Sequence, residues 1–375
     1  MKVRAAVLRQ MGLPAPYAQS KPLVIETVDL DPPGPGEILV KVLAAGLCHS
    51  DLSVIDGSRP RVMPMVMGHE AAGEIVEVGA GVQDLRIGDR VVFSFVPVCG
   101  HCLPCASGRP ALCEPGAKAN VAGTLLSGAR RWHEHNDSLN HHLGVSAFAE
   151  YTVVSARSAV KIDPDLPPQI AALFGCAVMT GMGAVVNTAR VAPGESVAVF
   201  GLGGVGLAAL VGAKAAGAYP LVAIDVLPQK LKLAAELGAT HCVLAAPGAD
   251  VVAAVRDLTD GGVQFAIETV GHEQVLVQAY GATRRGGTTV TAGLPHPSKQ
   301  FSISAVSLVA EERTVKGSYM GSCVPSRDIP RFIGMYRAAR LPVDRLLTHE
   351  IRLEDINEAF DRLATGAAVR QVVMF

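Results

Sequence analysis

The sequence predicts an α/β protein in which a doubly wound parallel sheet is joined to a second unit, a small irregular β-barrel. Three observations carry that expectation. Up to about residue 160 the apolar runs are short and bounded by glycine or proline; from about Thr180 strand-like runs alternate with helix-length segments; and 375 residues are too many for one comfortable core but suit two.

Composition narrows the classes. Apolar residues make up 49% and charged residues 18%, with mean hydropathy +0.33, the balance of a soluble globular chain with large buried surfaces rather than a disordered one. A net charge of -1 offers no electrostatic footprint for nucleic acid or an anionic membrane. The opening MKVRAAVLRQMG lacks an apolar core followed by a small-residue cleavage site, and VAVFGLGGVGLAAL from Val197 is broken by glycines and too short for a bilayer. A cytoplasmic protein with no membrane or nucleic-acid partner is expected.

In chain order, EILVKVLAAG from Glu37, AAGEIVEVG from Ala71 and DRVVFSF from Asp89 read as barrel strands, and DPPGPGE from Asp31 reads as a turn because its prolines cannot serve a central strand. VAVFG (Val197–Gly201) is a buried strand followed by a helix through Ala216. VAIDV (Val222–Val226) is a second, followed by the helical PQKLKLAAELG. Further strands at Cys242, Phe265, Thr288 and Thr314 bring the count to six, the number in a full dinucleotide-binding sheet. Beyond Tyr319 come two helical stretches and a terminal strand, VRQVVMF, expected to rejoin the first unit. The expected domains are residues 1–177, 178–320 and a C-terminal 321–375 that completes the first.

GLGGVG, from Gly201 through Gly203, Gly204 and Val205 to Gly206, follows the first of those strands and opens a helix. The glycines allow a tight turn, close approach of a pyrophosphate and close helix–strand packing, with the phosphates over the helix N-terminus. Asp225, about twenty residues on, can accept from both ribose hydroxyls and repel a 2′-phosphate, which favours NAD over NADP. Lys230 either lies near the same ribose or is a solvated helix lysine.

Eight cysteines in a large chain without a secretory signal point to metal or catalytic use more than to disulfides. Cys99, Cys102, Cys105 and Cys113 suit a closed, tetrahedral structural zinc. An iron–sulfur cluster is the rival, disfavoured by the seven-residue gap and the absence of a Cys-Pro partner. Cys48, His69 and Cys176 would leave a fourth position open on a second zinc, but spacing alone does not single them out.

GHEAAGEIVEVGAGV resembles the zinc signature of the medium-chain dehydrogenase/reductase superfamily. The cysteine quartet and GLGGVG agree with its zinc-dependent alcohol dehydrogenases, and the motifs run in family order from end to end. The resemblance implies a Rossmann sheet plus a GroES-like catalytic barrel, two zinc ions per subunit, NAD, and reversible oxidation of a primary or secondary alcohol to aldehyde or ketone. It implies a catalytic zinc on Cys48, His69 and Cys176, with Glu70 close behind. Asp51 would orient the imidazole of His69, a plain helix N-cap being the alternative. Ser50 would bond the substrate oxygen, His49 and Arg370 would meet the cofactor pyrophosphate, and Thr180 and Val205 would border the nicotinamide.

One departure is that Ser53 stands where the family often has a relay histidine. The long stretch between Cys113 and Tyr151 reads as a solvated excursion rather than an extra metal site. Its retention resembles the dimeric enzymes, with a subunit contact expected near Phe301–Tyr319. Two other readings remain. One is a glutathione-adduct (formaldehyde) dehydrogenase, disfavoured because the loop GSRPRVMP offers Arg59 and Arg61 but little acid. The other is a non-catalytic NAD-binding regulatory protein, disfavoured because every ligand position and Ser50 are present.

Overall fold

The period-two patterning of the first third closes on itself. In the computed structural model, which describes residues 1–375, ten strands precede residue 163: β1 (Lys2–Leu8), β2 (Leu23–Leu30), β3 (Glu37–Gly46), β4 (Met65–Val66), β5 (Glu70–Val78), β6 (Arg90–Phe93), β7 (Trp132–Glu134), β8 (Asp137–His141), β9 (Tyr151–Ser155) and β10 (Ala159–Ile162). Six more follow: β11 (Val197–Phe200), β12 (Leu221–Asp225), β13 (His241–Leu244), β14 (Val263–Glu268), β15 (Thr283–Thr291) and β16 (Thr314–Gly317). The last two are β17 (Leu347–Ile351) and β18 (Arg370–Met374). No helix is long and apolar enough to cross a membrane.

The chain packs as two units: Met1–Cys176 with Val324–Arg331 and Leu347–Phe375, and Ala177–Cys323 with Phe332–Leu346. In the first, β1-β2-β7-β8-β4 close a barrel, and a second sheet runs β10-β6-β5-β3-β18-β17, with β9 also on β3. Its cores hold Ile38, Val40, Phe93, Phe148 and Phe360 in one cluster and Val3, Leu30, Trp132 and Val153 in another.

The stretch after Cys113 departs from expectation, because it is not a solvated excursion. A helix spans Glu114–Ala122, β7 and β8 are barrel strands, and Trp132, Asn140, His141 and His142 are buried. The polar residues go inside because their partners are there. Asn140 donates to the Pro64 carbonyl (2.8 Å) and accepts from Arg130 Nε (2.9 Å), while His141 Nε2 accepts the Arg131 N–H (3.1 Å).

His141 carries a pH consequence. Burial, with Arg130 and Arg131 nearby, pushes its pKa down to about 3, far below an unfolded histidine. A depressed folded pKa means stability that is full above about pH 6.5 and lost as the pH falls toward 3. By pH 5 the loss from this one ring is about 2 kcal/mol. Denaturant unfolding at pH 7 and pH 5 should show that extra loss in the wild type and not in His141→Gln, which keeps an acceptor but cannot titrate. Equal losses in both would remove His141 as the cause.

In the second unit the six strands are all parallel in the order β13-β12-β11-β14-β15-β16. The order reverses between β11 and β14, the place where such sheets open a ligand crevice. β11 is buried along its whole length, as a central parallel strand must be, which explains its unbroken apolar run.

Candidate active site

Three strand ends in the first unit meet at one point. β3 runs out at Gly46 two residues before Cys48, β5 begins at Glu70 paired with Gly46, and β18 brings Val372 opposite Gly46 with Arg370 just before it. Cys48 caps the helix His49–Ile55: the Ser50 N–H points at its Sγ (3.5 Å), and Asp51 Oδ2 accepts the Cys48 N–H (3.0 Å). His69 follows Gly68, which sits at φ +93 with no room for a Cβ against Phe148. Cys176 follows Gly175, whose missing side chain lets the turn press on the Phe93 carbonyl.

One donor atom from each of Cys48, His69, Glu70 and Cys176 lies within 4.8 Å of the others, and all four residues are buried. The two sulfurs are 4.0 Å apart and His69 Nε2 is 3.5 Å from Cys176 Sγ. His69 Nδ1 stands 2.9 Å from Asp51 Oδ1, which leaves Nε2 free to face the thiols. Asp51 therefore acts as cap and orienter at once. Two sulfurs and one imidazole, backed by a carboxylate, are a zinc-type donor set with a position to spare.

Glu70 Oε1 accepts from Arg370, while Oε2 is buried without a partner. A Cβ at Gly46 would strike this pair, so glycine is required there. Burial pushes the Glu70 carboxyl up to about 7 against the pull of Arg370. Its contact with Cys176 holds the Cys48 thiol well below its usual range, helped against burial by His69 and Arg370. The same contact, with burial, pushes Cys176 up. Burial opposes charge on His69, but Asp51 and Cys48 raise it; Asp51 is held low, against burial, by His69 and His142. A thiolate already favoured in a buried pocket is a ready metal ligand.

Cys99, Cys102, Cys105 and Cys113 also converge, each sulfur within 4.8 Å of the others. Cys113 Sγ accepts N–H groups from Cys99 (3.2 Å) and Gly116 (3.4 Å), and Cys99 Sγ accepts from Cys102 (3.3 Å) and His101 (3.5 Å). Against burial, the His101 and Cys102 N–H groups bring Cys99 down to about 7. With sulfur in all four positions the set fits a closed zinc.

In the second unit Gly201 has φ +86, and a Cβ on Gly206 would overlap the Gly201 carbonyl. Nothing in the protein crowds Gly203, so the space its side chain would fill is a cradle of pyrophosphate type, at the start of the helix Gly204–Ala215. Asp225 Oδ2 accepts the Leu202 N–H (2.6 Å) and Oδ1 the Leu227 N–H (3.0 Å), so it shapes the turn as well as ending β12. Gly181, next to Thr180 on the helix Ala177–Gly183, lets that helix sit against the Val205 carbonyl. Lys230 is half-buried on the helix Pro228–Leu237.

His49 and Arg370, both expected at the cofactor pyrophosphate, differ in their surroundings. His49 is exposed, and Arg370 is turned inward onto Glu70. Two neighbours of His69 escape a sequence reading: Phe95, edge-on to it at 5.6 Å, and His142 at 5.3 Å. Only the run of two histidines before Leu143 hints at the second.

A parallel dinucleotide-type sheet, joined to a barrel that carries one donor set of two cysteines and a histidine and another of four cysteines, defines a zinc-binding oxidoreductase. Residues 34–164 match the alcohol dehydrogenase GroES-like domain and residues 204–338 the zinc-binding dehydrogenase domain. The chain belongs to the zinc-dependent alcohol dehydrogenases of the medium-chain dehydrogenase/reductase superfamily. It is 40% identical over 378 residues, covering 100% of both chains, to a Mycobacterium tuberculosis protein provisionally named alcohol dehydrogenase D. An alcohol dehydrogenase zinc-binding domain protein from Burkholderia ambifaria superposes with a TM-score of 0.93 at 36% identity, covering 100% of this chain and 99% of that one. Benzyl alcohol dehydrogenase from Acinetobacter calcoaceticus does so with a TM-score of 0.93 at 32% identity and the same coverage.

Proposed function

We propose that the chain is a cytoplasmic NAD(H)-linked dehydrogenase that moves a hydride reversibly between a primary or secondary alcohol and the nicotinamide. The observation that carries the reading is the buried Cys48–His69–Cys176 set with Asp51 behind its imidazole. Zinc held there would supply Lewis acidity to a substrate oxygen, and NAD+ would accept the hydride. Cys48, His69 and Cys176 hold the metal, and Asp51 fixes the His69 tautomer. Ser50, half-buried in the first turn after Cys48, relays the hydroxyl proton, accepting it while passing its own proton on toward water. Glu70 and Arg370 form the charged wall behind the thiolates. A second zinc on Cys99, Cys102, Cys105 and Cys113 braces its lobe.

The benzyl alcohol dehydrogenase likeness makes aromatic primary alcohols the first substrates to try. NADH formation with benzyl and aliphatic alcohols tests the reading; no alcohol-dependent NADH, with both zinc ions bound, would sink it. Asp225 supports NAD over NADP, since its carboxylate is tied to backbone N–H groups and would meet a 2′-phosphate as a like charge. Asp225→Gly should weaken NAD+ use about tenfold or more and narrow its lead over NADP+, because it removes both the ribose acceptor and the tie to Leu202. A wild type that prefers NADP+ in kcat/KM would overturn this choice.

We also infer a homodimer formed along β16. That strand ends the sheet order, and near it Phe301, Val306 and Val309 are 41%, 70% and 81% exposed. An apolar patch beside an open strand edge is a pairing surface. Sedimentation showing a monomer at micromolar concentration would refute it.

A further inference from the structure

His142 is a buried polar group that the reaction proposed above leaves unused. It follows β8, is 1% exposed, and packs its ring edge-on against that of His69, with centroids 5.3 Å apart and planes at 87°. Its Nδ1 is closed off from solvent and has no hydrogen bond in line, yet Asp51 Oδ1 stands 3.2 Å away. The same oxygen is 2.9 Å from His69 Nδ1, and Asp51 Oδ2 takes the Cys48 N–H at 3.0 Å.

We propose that His142 is a positioning residue for the metal of the Cys48–His69–Cys176 set: its Nδ1–H is a second imidazole donor to Asp51, and through Asp51 it holds His69 with Nε2 toward the thiolates. The inference rests on the reading that this set binds zinc.

Two physical arguments carry it. Asp51 is 0% exposed, and its ion-pair partners are imidazoles, those of His69 and His142, rather than an arginine or lysine. A buried carboxylate stays ionised only when donors saturate it, and one imidazole plus one backbone N–H leave lone pairs unfilled. The second argument concerns the His142 tautomer. If Nδ1 carried no proton, its lone pair would face an anionic oxygen at 3.2 Å in a site without water-scale dielectric. With the proton on Nδ1, the same contact becomes favourable and the buried nitrogen is no longer an orphan. Asp51 is then gripped from three directions, by the start of its own helix, by the metal's imidazole and by the strand end at β8. A carboxylate held in that way cannot swing, so neither can the ring it orients.

The test uses the full-length zinc enzyme. In the wild type, a colorimetric chelator should release two zinc ions per chain in two phases, the faster from the Cys48–His69–Cys176 set. His142→Phe keeps a ring against His69 and removes the N–H. It should speed the fast phase about tenfold or more, within the range for lost partners of metal-bound histidines, and leave the slow phase unchanged as an internal control on folding. His142→Asn, which restores an N–H near the Nδ1 position, should return the rate to within about threefold of wild type. Cobalt in the labile site should give a visible band that shifts in His142→Phe and returns in His142→Asn. If His142→Phe disturbs folding and the slow phase also changes, His142→Leu makes the same comparison. A fast phase at the wild-type rate in the variant that keeps the slow phase intact overturns the proposal. So does a His142→Asn enzyme as labile as His142→Phe, which would mean that packing alone matters. A wild type that releases only one zinc would instead overturn the metal reading beneath it.

Discussion

Ser50→Ala should slow single-turnover hydride transfer by roughly 10²–10⁴-fold and leave zinc content and affinity for NAD+ unchanged. The position explains the selectivity of the loss. Ser50 lies in the first turn of the helix that Cys48 caps, and its backbone N–H points at the Cys48 sulfur, so alanine keeps the helix, the cap and the ligand. Only the hydroxyl goes, and with it the proposed first step of the proton relay. Ser53 does not replace it, because its Oγ donates to the His49 carbonyl at 2.8 Å, a back-bond within the helix that occupies its proton. Nor can a serine hold a proton near neutral pH. Ser53→His should therefore raise alcohol oxidation around pH 7 wherever proton release limits. Unchanged single-turnover transfer in Ser50→Ala would show that the proton leaves by another route; steady-state kcat does not decide it if NADH release is slow.

Arg370→Met should destabilise the chain by about 3 kcal/mol, and adding Glu70→Gln should recover most of that loss. Arg370 is 3% exposed and Glu70 0%, so neither charge has water to turn to. Removing the guanidinium leaves the carboxylate buried beside two sulfurs. The cost falls at the low end for a broken buried pair because Glu70, already pushed up to about 7, can take a proton. Denaturant unfolding without dinucleotide separates this effect from any part Arg370 plays in binding pyrophosphate. A double variant no more stable than Arg370→Met would show that the loss comes from packing and not from the stranded charge.

How far the sequence could be read depended on the reach of each interaction. Local ones were legible. The run VAVF, the turn at Gly201 and the close packing that forbids a side chain at Gly206 are settled within ten residues, and all six strands expected between residues 197 and 319 are present, in a parallel sheet. The cysteine quartet is likewise close in sequence, and its four sulfurs come together. Long-range ones were not. Nothing in the spacing of Cys48, His69 and Cys176 joins them; only a family resemblance did, and it takes the ends of β3 and β5 and the turn at Gly175 to bring them into reach. The polar string around His141 and His142 looks like solvated loop because its partners, Pro64, Arg131 and Asp51, lie on other elements. The resemblance placed Arg370 at the cofactor pyrophosphate, but its bond to Glu70 spans 300 residues of chain and no local pattern announces it. Asp225 was expected at the end of the second strand of this sheet, where it stands, but its tie to Leu202 was not legible.

The pairing of β18 with β3 also sets a schedule for biosynthesis. Cys48 and His69 leave the ribosome early, yet the strand that flanks Gly46 and delivers Arg370 to Glu70 follows 300 residues after that glutamate. Until that strand emerges, Glu70 lacks the guanidinium of Arg370 and β3 has an open edge at Gly46. The neighbourhood of Cys48 is therefore completed only by a strand far along the chain from it.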